Sequence, residues 1–165
     1  MRRGRKPIEP ERRGDLQAVR AAAVGLLARR DFASAELRAK LAQQGYDPTT
    51  IEIAVAELVA GRVLDDRRFA DNYVSYHAER GQGPTRISAD LRTLGVASET
   101  IDAALGCGPS WHALAREVRI RKFGLDLPET WAEKARQARF LQYRGFSSDH
   151  IRSALGPDFE PDEQT

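Results

Sequence analysis

Residues 63–87 of the 165-residue chain read VLDDRRFADNYVSYHAERGQGPTRI and hold enough reactive side chains to suggest an active site. Asp65 and Asp66 abut Arg67 and Arg68, His77 follows, and a Gly-Gln-Gly-Pro run ends on Thr85 and Arg86. Three chemistries use such residues: general acid–base work by a carboxylate pair, metal ligation by histidine, and phosphate binding by a glycine-rich loop. A carboxylate pair needs both groups aimed at one point. Adjacent residues on a helix point about 100° apart, so Asp65 and Asp66 fit helix capping and the helix dipole better. The chain's other histidines are His112 and His150, and none of the three stands at i+3 or i+4 from another, which argues against a helical metal site. The GQGPTR turn follows a helix rather than a strand and lacks the Gly-Lys-Ser/Thr ending of a phosphate loop. Pro84 instead marks the first position of a helix.

These residues must be held by helices. Leu16, Val19, Ala23, Leu26 and Leu27 recur with helical period, and Ser34, Asp47 and Ser110 precede or open further periodic runs. Alternating runs rich in Val, Ile and Thr are nearly absent, which leaves little room for strands. The strongest organisational signal is a repeat. KLAQQGYDPTTIEIAV from Lys40, DLRTLGVASETIDAAL from Asp90 and FLQYRGFSSDHIRSAL from Phe140 align without gaps. Leu41, Leu91 and Leu141 correspond, as do Gly45, Gly95 and Gly145, then Ile51, Ile101 and Ile151, then Ala54, Ala104 and Ala154. Each copy reads helix, left-handed glycine, apolar residue, cap, helix, with Asp47, Ser98 and Ser147 or Ser148 as the caps, and Ser34 reads as the N-cap of the helix that ends near Gly45. A further helix precedes each pair, near Leu16–Arg30, Asp66–Arg80 and Ser110–Phe123. The expected fold is therefore all-α, an elongated array of three tandem three-helix repeats. Its divisions are a flexible basic tail over 1–15, repeats over 16–64, 65–108 and 109–156, and an acidic tail over 157–165.

Composition narrows the classes of function. Net charge is only +2, but it is unevenly spread. Residues 1–15 carry six basic and three acidic side chains, residues 110–155 carry nine and five, and the segment after Gly156 carries four acids and no base. The single cysteine, Cys107, rules out an intramolecular disulfide and a cysteine-based zinc site. No apolar run approaches the length of a membrane span, and the basic N-terminus has no apolar stretch behind it, so a soluble protein of a reducing, cytoplasmic compartment is expected; the repeat register leads to the expectation of a monomer, and no cofactor is expected.

The run LDDRRFADNYV, then RGQGPTRI, then LRTLGV resembles the signature of the RecX family, bacterial modulators of the recombinase RecA, over about residues 16–156. The resemblance implies three tandem three-helix repeats and a non-enzymatic protein. It implies binding to RecA filaments on single-stranded DNA, in the helical groove across neighbouring protomers, with inhibition of ATPase, strand-exchange and coprotease activities. Recombination and the SOS response would thereby be moderated. Single- or double-stranded DNA is a secondary partner, bound weakly alone. The alternative is a helical DNA-binding module that acts without the recombinase, although no helix shows the dense Arg with Asn or Gln pattern of base-edge readout. Candidate contacts are Arg67, Arg68, Arg80 and Arg86 near helix ends, and Arg116, Arg119, Arg136 and Arg139 as a basic stripe meeting phosphate or acidic protein surface. That stripe is expected off the apolar faces marked by Trp111, Leu114 and Val118 and by Trp131, Ala135 and Ala138.

Overall fold

A computed structural model describes residues 12–156. The rest of the basic N-terminal stretch and the acidic segment after Gly156 lie outside the described residues. Within the described range the chain forms nine α-helices and no strand. They are α1 (Leu16–Leu27), α2 (Ser34–Gln44), α3 (Pro48–Ala60), α4 (Asp66–Glu79), α5 (Pro84–Thr93), α6 (Ser98–Gly106), α7 (Trp111–Phe123), α8 (Trp131–Tyr143) and α9 (Ser148–Leu155). Taken three at a time they make three three-helix domains.

The repeat register holds in the core. Leu41, Leu91 and Leu141 are each fully buried, and Ile51, Ile101, Ile151, Ala54, Ala104 and Ala154 are buried with them. Gly45, Gly95 and Gly145 all take a left-handed conformation, with φ of 94°, 80° and 92°. At Gly145 this freedom is joined by close packing: a Cβ would stand 2.3 Å from Arg86 Cβ and 2.8 Å from Arg86 N. Only glycine meets both demands.

The described chain packs as two compact units. One runs to Phe69 and includes Leu94–Ala97; the other holds Ala70–Thr93 and the helices from Ser98 onward. In the first unit Val19, Ala23, Phe32, Leu37, Leu41, Ile51, Val55 and Leu64 share one apolar cluster. In the second, Ala115, Val118, Leu141, Phe146, Ile151 and Leu155 form another.

Helix starts show how the repeats are tied. Asp47 and Ser147 cap α3 and α9 through the backbone N–H of Thr50 and His150, as their positions in the repeat suggest. Asp15 caps α1, and the Arg13 carbonyl accepts from the N–H of Asp47. The last residues of the basic stretch are thus bonded to the first repeat. Two expected caps shift by one residue. Ser34 and Ser98 are the first helical residues of α2 and α6, rather than the residues before them. Ala33 offers α2 no side-chain acceptor, and the Ser34 N–H instead donates to Asp66 Oδ1 at 2.7 Å. The N-terminus of α5 is met in a different way: Gly83 N–H donates to the Arg144 carbonyl at 2.8 Å and Thr85 N–H to the Gly145 carbonyl at 3.0 Å. The middle helices of the first two repeats therefore have orphan N–H groups satisfied by the repeat that follows. In α8 the Thr130 and Glu133 side chains form a capping box of its own.

Candidate partner-binding surface

The aspartates of the opening stretch are structural, with different roles. Asp65 Oδ1 accepts the N–H groups of Arg67 and Arg68 at 2.9 and 3.0 Å, which caps α4. These bonds, led by the Arg68 N–H, hold the Asp65 carboxyl below the ordinary aspartate value. Asp66 looks the other way, to Ser34. Arg68 is also engaged locally: its guanidinium donates to the carbonyls of Arg62 and Val63 in the α3–α4 turn, where Arg62 takes a positive φ of 55°. Arg67 is exposed on the first turn of α4.

His77 stacks on Tyr73, with ring centroids 4.0 Å apart, and its Nδ1 is buried without a hydrogen-bond partner among the described residues. His112 and His150, 38 positions apart in sequence, meet edge to face at 4.6 Å. His112 Nε2 lies 2.7 Å from Asp149 Oδ2, and His150 Nδ1 lies 2.8 Å from Ser147 Oγ within the cap of α9. Sequence spacing along one helix could not reveal this meeting of α7 and α9. Among the described residues no group of three or more His, Cys, Asp or Glu is placed to hold a metal ion. A cleft of about 480 Å³ borders Cys107; Ser75, Glu79 and Leu114 also line it.

The arginine candidates divide sharply. Arg119 does not belong to an exposed stripe: it is 2% exposed. Its Nη1 donates to the Asp126 carbonyl at 2.8 Å and its Nη2 to the Leu125 carbonyl at 3.1 Å, with Gln137 Oε1 at 3.5 Å from Nη1. The physical reason was present in the sequence. Ala115 and Arg119 are one helical turn apart, so when Ala115 and Val118 face the core Arg119 must follow. The irregular α7–α8 connection turns carbonyls inward there, and the guanidinium fork satisfies them. Trp131 also departs from its expected inward place: it opens α8 and is 56% exposed.

Arg80, Arg86, Arg116, Arg136 and Arg139 are exposed, and none meets a carboxylate among the described residues. Three of them lie against aromatic rings. The Arg80 guanidinium lies 3.4 Å from the Tyr76 ring centroid, Arg86 lies 5.9 Å from Tyr143, and Arg136 lies 5.5 Å from Phe123. Arg20, Arg30, Arg38, Arg121 and Arg152 behave differently, each holding a carboxylate: Glu57, Glu36, Glu52, Glu117 and Asp149 respectively. These five belong to the second unit, as does Arg92, which also meets no carboxylate; Arg29 and Arg62 are likewise exposed without one in the first unit. In the second unit Arg144, absent from the sequence candidates, draws the parts together. Its Nε donates to the Gly81 carbonyl at 3.0 Å and its Nη2 to the Arg80 carbonyl. Arg144 follows Tyr143 in the chain, and the next residue, Gly145, packs on Arg86. Unpaired surface cations cost little to hold in water and retain their field for a partner.

Comparison with known proteins gives a consistent picture. Models of the RecX first, second and third three-helix domains match residues 20–58, 65–105 and 112–155. The chain is 45% identical over 149 residues to the Regulatory protein RecX of Halorhodospira halophila, covering 90% of this chain and 92% of that one. It is 43% identical over 141 residues to the Regulatory protein RecX of Pseudomonas fluorescens, covering 85% and 91%. The crystal structure of RecX from Lactobacillus salivarius superposes with a TM-score of 0.73 at 19% identity, covering 83% of this chain and 92% of that chain, a likeness of fold.

Proposed function

The chain belongs to the RecX family of regulatory proteins, and from that premise we propose that it binds the filament formed by the recombinase RecA on single-stranded DNA and restrains it. The protein acts without catalysis, as a monomer in the cytoplasm, lying in the filament groove across neighbouring protomers. Occupying the groove opposes the ATPase, strand-exchange and coprotease activities, and so moderates recombination and the SOS response. The observation that carries the reading is the unpaired set Arg80, Arg86, Arg116, Arg136 and Arg139, since a nucleoprotein filament offers a polyanionic surface. Arg67 and Arg68 are secondary contacts in this reading, because Arg68 already serves the α3–α4 turn.

The test is recombinase ATPase on single-stranded DNA with the full chain added. Inhibition that saturates at less than one copy per recombinase protomer is expected if each copy spans neighbouring protomers. An unchanged ATPase, together with no co-sedimentation with filaments, overturns the proposal.

A further inference from the structure

The connection between α7 and α8 leaves large apolar side chains in the open. Leu125 is 79% exposed, Leu127 is 54% exposed, and Trp131, which opens α8, is 56% exposed. Aliphatic residues scattered singly on a surface need no explanation, but these three fall within residues 125–131. The backbone beneath them is held. Buried Arg119 donates to the carbonyls of Leu125 and Asp126, and Pro128 is buried as well. A loop fixed from below presents its outward side chains without an ordering cost at the moment of binding. Asp126 and Glu129 are exposed beside the leucines, and neither joins an ion pair among the described residues. Residues 124–130 include no basic side chain.

We propose that this connection docks into an apolar pocket, rimmed by lysine or arginine, on a partner protein. The inference rests on the filament reading for the partner, a recombinase protomer, and adds to the arginines a second contact of the opposite charge. The chemistry of the connection disfavours other occupants. Asp126 and Glu129 repel phosphate, and the aliphatic side chains of Leu125 and Leu127 offer no ring for a base to stack on. The chain's own segment after Gly156 carries four acids and no base, so the same two carboxylates repel it. A second copy presenting the same connection would set acid against acid. An apolar centre with charge at its rim is the composition of a protein-docking patch. The arginines then answer the negative charge of the filament, and the connection answers its protein.

The experiment is co-sedimentation of the full chain with recombinase-coated single-stranded DNA at one salt concentration, with melting curves on the same samples. Leu125→Ser combined with Leu127→Ser should weaken binding about fivefold or more, the loss that marks an interface anchor. Its melting temperature should stay close to wild type, because both side chains are exposed. Asp126→Asn combined with Glu129→Gln tests the sign of the charge. A filament bound through its negative charge alone would hold this variant more tightly, since two acids are gone. A basic rim on the partner predicts weaker binding instead. Equal binding by the folded leucine variant, or equal or tighter binding by the neutralised one, overturns the inference and leaves the filament reading standing. A wild type that does not bind filaments overturns the filament reading and this inference with it. Sedimentation of the wild type alone should give a monomer. A dimer that the leucine variant loses would identify a second copy as the occupant and overturn the inference.

Discussion

Asp65 and Asp66 show how two adjacent identical side chains acquire different work. Asp65 caps its own helix, a role readable from its place before an amphipathic run. Asp66 accepts from Ser34, 32 residues earlier, and no local pattern announces that. Ser34 is 8% exposed, so its N–H has little access to water once the carboxylate is gone. Asp66→Ala is expected to destabilise by about 1–3 kcal/mol, the cost of an unsatisfied buried donor. Asp65→Asn, which keeps a capping oxygen, should cost only a few tenths. Chemical denaturation of both variants checks the order, and equal midpoints would contradict it. Protonating Asp65 acts in the same direction. Its folded value is depressed, so its stabilisation is present above the ordinary aspartate value of 3.8 and is lost as pH falls through the folded one.

Arg119 is the sharper lesson at this scale. Its charge suggests surface, but its spacing from Ala115 sends it inward, and the carbonyls of Leu125 and Asp126 receive it. Burying a guanidinium without a carboxylate costs several kcal/mol in desolvation, which the carbonyl acceptors at Nη1 and Nη2 offset in part, while Nε has no partner among the described residues. Arg119→Met should destabilise by about 1–3 kcal/mol for each carbonyl left without its donor. Arg116→Met, three residues earlier and exposed, should shift stability by under about 1 kcal/mol. Denaturation midpoints that failed to separate the two would refute the inward placement.

Helices were largely legible because their signals are local. The left-handed glycine, the apolar residue after it and the cap recur in each repeat, and all three glycines adopt the positive φ that this pattern requires. The expected ends missed by a residue at Ser34 and Ser98; at α2 the residue before Ser34 is Ala33, which has no side-chain acceptor, and the carboxylate of Asp66 takes that place. The His112–His150 contact was not legible, because it arises from packing α7 against α9. Burial holds the His150 imidazole below the ordinary value of 6.5; His112 adds to this and Asp149 opposes it. Its Nδ1 also accepts the Ser147 N–H, which a protonated ring could not do. Above pH 6.5 both folded and unfolded chains hold His150 neutral, so it contributes nothing to the pH dependence there. Below that pH the unfolded chain takes up the proton first, so stability should fall with pH until the folded value is reached. Thermal melts between pH 7 and pH 5 should show this decline, and His150→Gln should flatten it. A melting temperature rising over that range in the wild type would contradict the assignment.

At the scale of the molecule, the repeat predicted three three-helix domains, and the shared positions are its core. Leu91→Ala should destabilise by about 2–5 kcal/mol, as for other emptied leucine sites, because Leu91 is fully buried at the position shared with Leu41 and Leu141. An unchanged denaturation midpoint would place the register in error. Charge and helical spacing picked out Arg116, Arg136 and Arg139, which are exposed, but also Arg119, which is buried. Which arginines lack a carboxylate depends on pairs such as Arg20–Glu57, 37 residues apart, and that only the fold decides.

The most direct test of the proposed filament binding reverses Arg116, Arg136 and Arg139 together to Glu and leaves Arg119 in place. Binding of the variant and the wild type to recombinase-coated single-stranded DNA is measured by co-sedimentation over a range of salt, with melting curves on the same samples. The account predicts at least about tenfold weaker binding for the variant and a shallower salt dependence, with a melting temperature close to wild type. Equal filament affinity in the folded variant would contradict it.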